Sequence, residues 1–70
     1  MDPNATWRAL LEAYKEGNDE ELLEACQNLH NWMAMRGFPP TIVGIPEIDR
    51  IMAHSICSTY VFQRHLRSLY

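Results

Sequence analysis

Two of the chain's three histidines and both of its cysteines stand in pairs whose spacing suits one face of a helix. Cys26 and His30 are four residues apart, and His54 and Cys57 are three apart, so each pair shares a helix face. Two thiolates and two imidazoles are a ligand set of structural zinc sites. A cysteine beside a histidine is also the pairing that makes a nucleophile and its base. The sequence therefore raises two kinds of chemistry, metal binding and covalent catalysis.

A core role for Cys26, with His30, His54 and Cys57 incidental, is the interpretation we favour over a metal site. Cys26 lies in the apolar stripe of its helix, whereas His54 and Cys57 point away from the main stripe of theirs. The four side chains would meet only if the last helix turned its second face towards the rest of the chain. The same difference in direction, together with a reducing compartment, argues against a disulfide. We therefore predict no metal and no cofactor.

Catalysis has less support than metal binding. No Gly-rich turn or oxyanion arrangement accompanies Cys57 and His54, and no phosphate-binding glycine loop occurs in the sequence. The acidic side chains between residues 19 and 24 gather at the start of a helix, where capping and the helix dipole explain them. A chain of 70 residues also has little room for a preorganised pocket. We predict that the protein is not an enzyme.

Charge and composition narrow the classes of partner and compartment. The net charge is −3, with seven acidic and two basic side chains in residues 1–35 against two acidic and four basic ones in residues 36–70. No general attraction to nucleic acid follows from this balance. The sequence lacks a signal-type start and a membrane-length apolar run. We expect a cytoplasmic protein of bacterial type, with no membrane partner.

The elements that position these residues are helices, and the first two form a hairpin. Apolar residues recur at helical spacing in two stretches: Trp7, Leu10, Leu11 and Tyr14, then Leu22, Cys26, Leu29, Trp32 and Met33. Asp2 or Asn4 caps the first helix, Gly17 ends it, and Asn18 opens the second. We predict helices over about 4–16 and 19–36, with Gly37 in the left-handed conformation, followed by two prolines that stop the helix.

The third helix, predicted over about 46–68, is apolar on two sides. Its main stripe comprises Ile48, Ile51, Met52, Ser55, Thr59, Phe62, Leu66 and Leu69. Strand is the competing interpretation of residues 55–62, which are rich in β-branched and aromatic side chains. Ala53, Cys57, Tyr60 and Val61 lie roughly opposite the main stripe and form what we call the second face. A helix that is apolar on two sides is buried centrally or used for association.

The first 40 residues resemble a group of short uncharacterised bacterial proteins. The shared features are the start MDPNAT, the helix segments TWRALLEAY and GNDEELLEA, and an ending of the form W-x-x-x-x-G-F-P-P. A single glycine, Gly37, stands where the group has two. The group carries no assigned activity, so the resemblance implies two helices with this ending and transfers no functional residue.

These observations predict a single all-α domain of three helices, residues 1–70. The expected function is protein–protein association, as a homo-oligomer or a small adaptor, with the second face (Ala53, Cys57, Tyr60 and Val61) as the contact surface. The alternative is a small nucleic-acid-binding regulator. It would use Arg64 and Arg67 in the basic last turns of the third helix.

Overall fold

The fold is a three-helix arrangement with no strand among the described residues. The structure, a computed structural model, describes the backbone of residues 1–69 and the side chains of residues 1–63. The helices are α1 (Pro3–Glu16), α2 (Asp19–Ala34) and α3 (Pro46–Leu69), which confirms the all-α prediction and makes residues 55–62 helical. Within the described part of the chain, no helix combines the length and apolar content that crossing a bilayer requires.

Local side chains set the boundaries of the helical hairpin. The Asp2 carboxylate caps α1 by accepting from the backbone N–H groups of Asn4 and Ala5 at 3.0 and 3.3 Å. Gly17 ends α1 in the left-handed conformation, with φ at 69°. Asn18 then caps α2 by accepting from the Glu21 N–H at 3.2 Å. The turn between the helices is therefore short, and α1 and α2 pack as the predicted hairpin.

The end of α2 differs from the prediction in two respects. The helix stops at Ala34 rather than at residue 36, and the left-handed residue is Arg36, with φ at 65°, rather than Gly37. Arg36 and Gly37 donate their N–H groups to the carbonyls of Met33 and Trp32 at 3.0 and 2.9 Å, which closes the helix in a Schellman motif. A glycine is needed at position 37 for space, because a Cβ there would overlap the Trp32 indole.

Side-chain hydrogen bonds fix the course of the connector, residues 35–45. The Trp32 indole N–H donates to the Phe38 carbonyl at 2.8 Å, and the Thr41 N–H donates to the Asn4 side chain at 2.7 Å. From α3, the Asp49 carboxylate accepts from the Val43 N–H at 2.7 Å. These bonds tie the connector to all three helices, so the position at which α3 begins is fixed.

The central helix is α2, and α1 and α3 both pack against it. Among the described residues, no Cα of α1 lies within 8 Å of a Cα of α3. The chain therefore has two helix–helix interfaces rather than the three of a closed bundle. One core spans both interfaces and consists of Trp7, Leu10, Ala13, Leu22, Ala25, Cys26, Leu29, Met33, Ala53 and Cys57.

Candidate functional site

The second face of α3 is directed into the core, which corrects its predicted role as a contact surface. Ala53 and Cys57 are fully buried, and Tyr60 and Val61 pack partly buried against the same core. Side chains without exposed area cannot meet another molecule while the chain is folded. The prediction that α3 is apolar on two sides holds, but the side assigned to the partner is covered by α2.

Two anchored residues at the start of α3 set this rotation of the helix. The Asp49 carboxylate is 3% exposed and holds the connector at Val43, and the Arg50 guanidinium donates to the Gly37 carbonyl at 2.9 Å. Positions three or four residues further along a helix share a face. Once Arg50 faces the end of α2, Ala53 and Cys57 must face α2 as well. Their small side chains also allow the helices to approach closely.

The opposite side of α3 is left uncovered by the rest of the chain. We call it the outer face and define it by Ile48, Ile51, Ser55 and Phe62. The three large members keep 43%, 65% and 60% of their area exposed. These residues belong to the stripe that the sequence predicts to be buried. The outer face therefore exposes three large apolar side chains, with the polar Ser55 between Ile51 and Phe62, on a helix whose other side is anchored.

A groove separates α1 from α3 and adjoins the outer face. Its volume is about 570 Å³, and it is lined by Trp7, Leu10, Leu11, Tyr14, Ser55, Ile56, Thr59, Tyr60 and Gln63. Leu11 and Tyr14 keep 43% and 63% of their area exposed, because α3 does not reach across to cover them. The α1–α3 groove thus has a mainly apolar lining and the shape that receives a helix.

Tyr60 stands where the groove meets the core. Burial raises the pKa of its phenol above the usual 10.0, and the nearby Tyr14 and Cys26 raise it further. A neutral phenol is therefore favoured, and Tyr60 links a groove residue of α1 to the interior of the α2–α3 interface. Tyr60 is the one residue of the second face that lines the groove.

The cysteine–histidine cluster comes together at the α2–α3 interface. Cys26 and Cys57 are both fully buried in the core. The rings of His30 and His54 lie one turn away, with centroids 5.2 Å apart and planes inclined by 32°. The expectation that the two pairs point apart is wrong, because α3 presents its second face to α2. Both thiols are free.

The two thiols affect each other's ionisation. A hydrogen bond from Cys57 lowers the pKa of the Cys26 thiol, although burial opposes the shift. The same interaction raises the pKa of Cys57, and burial raises it further. Within the part of the chain that the structure describes, no three His, Cys, Asp or Glu side chains are grouped to hold a metal ion. The cluster is therefore a pair of buried thiols beside a pair of imidazoles.

Two further sequence candidates have different outcomes. Arg64 and Arg67 belong to the last turns of α3, and their side chains lie outside the described residues. Phe38 is 81% exposed, and the Trp32 indole N–H donates to its backbone carbonyl. The FPP segment therefore presents one apolar ring to solvent.

Comparison with known proteins adds no assignment to these surfaces. No protein family, curated protein or solved structure matches this chain. A functional proposal must therefore be argued from the geometry of the outer face, the groove and the cluster.

Proposed function

We propose that this chain is a non-catalytic association module that pairs with a second copy of itself through the outer face of α3 and the α1–α3 groove. The carrying observation is the exposure of Ile48, Ile51 and Phe62 on a helix whose second face is buried at Ala53 and Cys57. Large apolar side chains exposed together are a feature of protein–protein interaction surfaces. The proposal keeps the association predicted from sequence and moves it to the opposite side of the helix.

The chain carries two surfaces that complement each other. The α1–α3 groove is a channel between two helices, and the outer face beside it is an apolar helical ridge. In a pair related by a two-fold axis, the ridge of each copy meets the groove of the other. The two copies of α1 and α3 would then form a four-helix bundle. A chain this small also benefits, because a single small core supplies little stability.

The charge distribution favours the same side of the molecule. Asp19, Glu20 and Glu24 are exposed on α2, away from the groove. Charged side chains are depleted at the centre of protein interfaces. The acidic surface of α2 therefore suits contact with water, and the side formed by α1 and α3 suits contact with a partner.

The experiment is a measurement of subunit number by native mass spectrometry and light scattering. We expect a dimer for the natural chain and a monomer for Ile51→Glu, because a buried carboxylate without a partner costs several kcal/mol. Met35→Glu is the matched control, since Met35 is 75% exposed at the end of α2 and lies off the outer face. A dimer that survives Ile51→Glu would contradict this interface.

A natural chain that stays monomeric at high micromolar concentration would overturn self-association. Capture of a defined partner by the monomer, lost in Ile51→Glu and kept in Met35→Glu, would then identify an adaptor.

The nucleic-acid alternative through Arg64 and Arg67 stays a prediction. A salt-dependent gel shift with DNA or RNA would support it, and no shift at low salt would remove it. The two free thiols are compatible with the reducing cytoplasm that we propose as the location.

A further inference from the structure

We infer that Cys26 and Cys57, facing each other across the α2–α3 interface, form a two-coordinate site for a soft monovalent metal ion of the Cu⁺ class. The inference is independent of the proposed association, because both thiols lie inside one chain. No part of it requires a second copy or the outer face.

The register of the two helices places the thiols together. The rings of His30 and His54 are 5.2 Å apart, which fixes one level of the interface. The helices run in opposite directions, as the bond from Arg50 to Gly37 at the other end of the interface also requires. One turn from the histidine level therefore leads to Cys26 on α2 and to Cys57 on α3, and both are fully buried in the same core cluster.

The number of ligands selects the kind of metal. Structural zinc takes four ligands in a tetrahedron, but the described residues contain no group of even three suitable side chains. Thiolates are soft ligands that favour Cu⁺ among the biological metals. Two thiolates without a third ligand suit an ion that accepts low coordination. The apolar surroundings also keep water from the ion.

Binding requires proton release without any change of oxidation state. The two S–H bonds break, both protons leave to solvent, and two sulfur–metal bonds form. Two thiolates and one monovalent cation leave a single negative charge in the core. The imidazoles of His30 and His54 pair with each other one turn away from the thiols.

A surface depression lies beside the cysteine–histidine cluster. It has a volume of about 600 Å³ and is lined by His30, Ser58, Thr59, Val61 and Phe62. Ser58 and Val61 follow Cys57 by one residue and by one turn of α3, and His30 follows Cys26 by one turn of α2. The Ser58 hydroxyl lies 3.5 Å from Nδ1 of His54. The lining of this depression includes the His30 side chain and neither of the two thiols.

The test is a titration of the reduced, full-length chain under nitrogen. Ag⁺ serves as the redox-stable probe, and Cu⁺ is delivered from a chromophoric chelator whose colour reports competition. We expect one ion per chain. Cys26→Ser and Cys57→Ser should each weaken binding by more than about 100-fold. Loss of a residue that only hydrogen-bonds a metal ligand already costs up to about 100-fold, and these variants remove a ligand itself. His30→Ala/His54→Ala, the matched control, should stay within about tenfold of the natural chain.

The melting temperature of the natural chain is a second measurement. It is informative even if one of the cysteine variants fails to fold. Ag⁺ should raise the melting temperature of the natural chain and leave that of Cys26→Ala/Cys57→Ala unchanged, because only a ligand bound to the folded state stabilises it. Absence of stoichiometric binding would overturn the inference. So would binding that survives loss of both thiols, or binding of one Zn²⁺ that the double histidine variant abolishes, since zinc would then use all four side chains.

Discussion

Individual residues at the end of α2 have roles that their types alone do not reveal. Arg36 holds the left-handed position although it is not glycine, which costs roughly 1–2 kcal/mol for a residue with a Cβ. Gly37 does not need a left-handed backbone. A glycine is required there because a Cβ atom would overlap the Trp32 ring. The two neighbouring residues therefore have distinct requirements, one of backbone conformation and one of space.

Substitutions at these two positions should have opposite effects. Gly37→Ala should lower the free energy of unfolding by about 1–3 kcal/mol, because the new methyl group forces the Trp32 ring to move. Arg36→Gly should raise it by about 1 kcal/mol, because the left-handed strain is removed. Urea denaturation followed by circular dichroism measures both changes. Equal effects of the same sign at both positions would show that one conformational requirement governs the whole turn.

At the scale of elements, the orientation of α3 decides which surface is available. The hydrogen bonds of Asp49 and Arg50 to the connector hold the first turn of α3 in one rotation. Ala53 and Cys57 follow on the same face and are fully buried. The larger apolar side chains are therefore left outside, although they have more area to bury.

Enlarging a side chain on either side of α3 tests this orientation. Ala53→Leu should lower the free energy of unfolding by about 1–3 kcal/mol, because the α2–α3 interface has no room for the added atoms. Ser55→Leu, on the outer face, should change it by no more than about 0.5 kcal/mol. Thermal melts at the lowest usable protein concentration keep association from masking the difference. If Ser55→Leu is the damaging change and Ala53→Leu is tolerated, α3 is turned the other way.

At the scale of the whole molecule, the three helices form an open arrangement. The backbones of α1 and α3 both contact α2 and do not contact each other within the described residues. The groove is a consequence of this architecture, because a closed bundle would bury Leu11 and Tyr14 against α3. Pairing of two copies would complete a core that one copy leaves open.

Pairing predicts that stability depends on protein concentration. Because dissociation accompanies unfolding of a dimer, each tenfold rise in concentration should stabilise it by about 1.4 kcal/mol, which is several degrees in melting temperature for a domain of this size. Scanning calorimetry over a hundredfold concentration range measures the effect. Ile51→Glu should melt at one temperature throughout, with Met35→Glu behaving like the natural chain. A natural chain whose melting temperature is constant would argue for a monomer.

The sequence by itself determined the helices and most of their ends. Caps such as Asp2, Asn18 and Gly17 act on backbone groups a few residues away, and the apolar spacing of α1 and α2 follows helix geometry. Local chemistry of this kind is readable along the chain. The sequence also showed that α3 is apolar on two sides and that two cysteines and two histidines stand at helical spacing.

Only the tertiary structure decided which side of α3 is buried, and with it the placement of every candidate site. The sequence ranked the two sides by hydrophobic area, which favours burial of Ile48, Ile51 and Phe62. The outcome depends instead on anchors that act between elements, from Asp49 and Arg50 to a connector up to 13 residues away. A half-turn of one helix brings Cys26 to Cys57 and exposes the larger stripe. The periodicity of apolar residues gives the direction of each face of α3. It does not tell which face packs on another helix and which stays exposed.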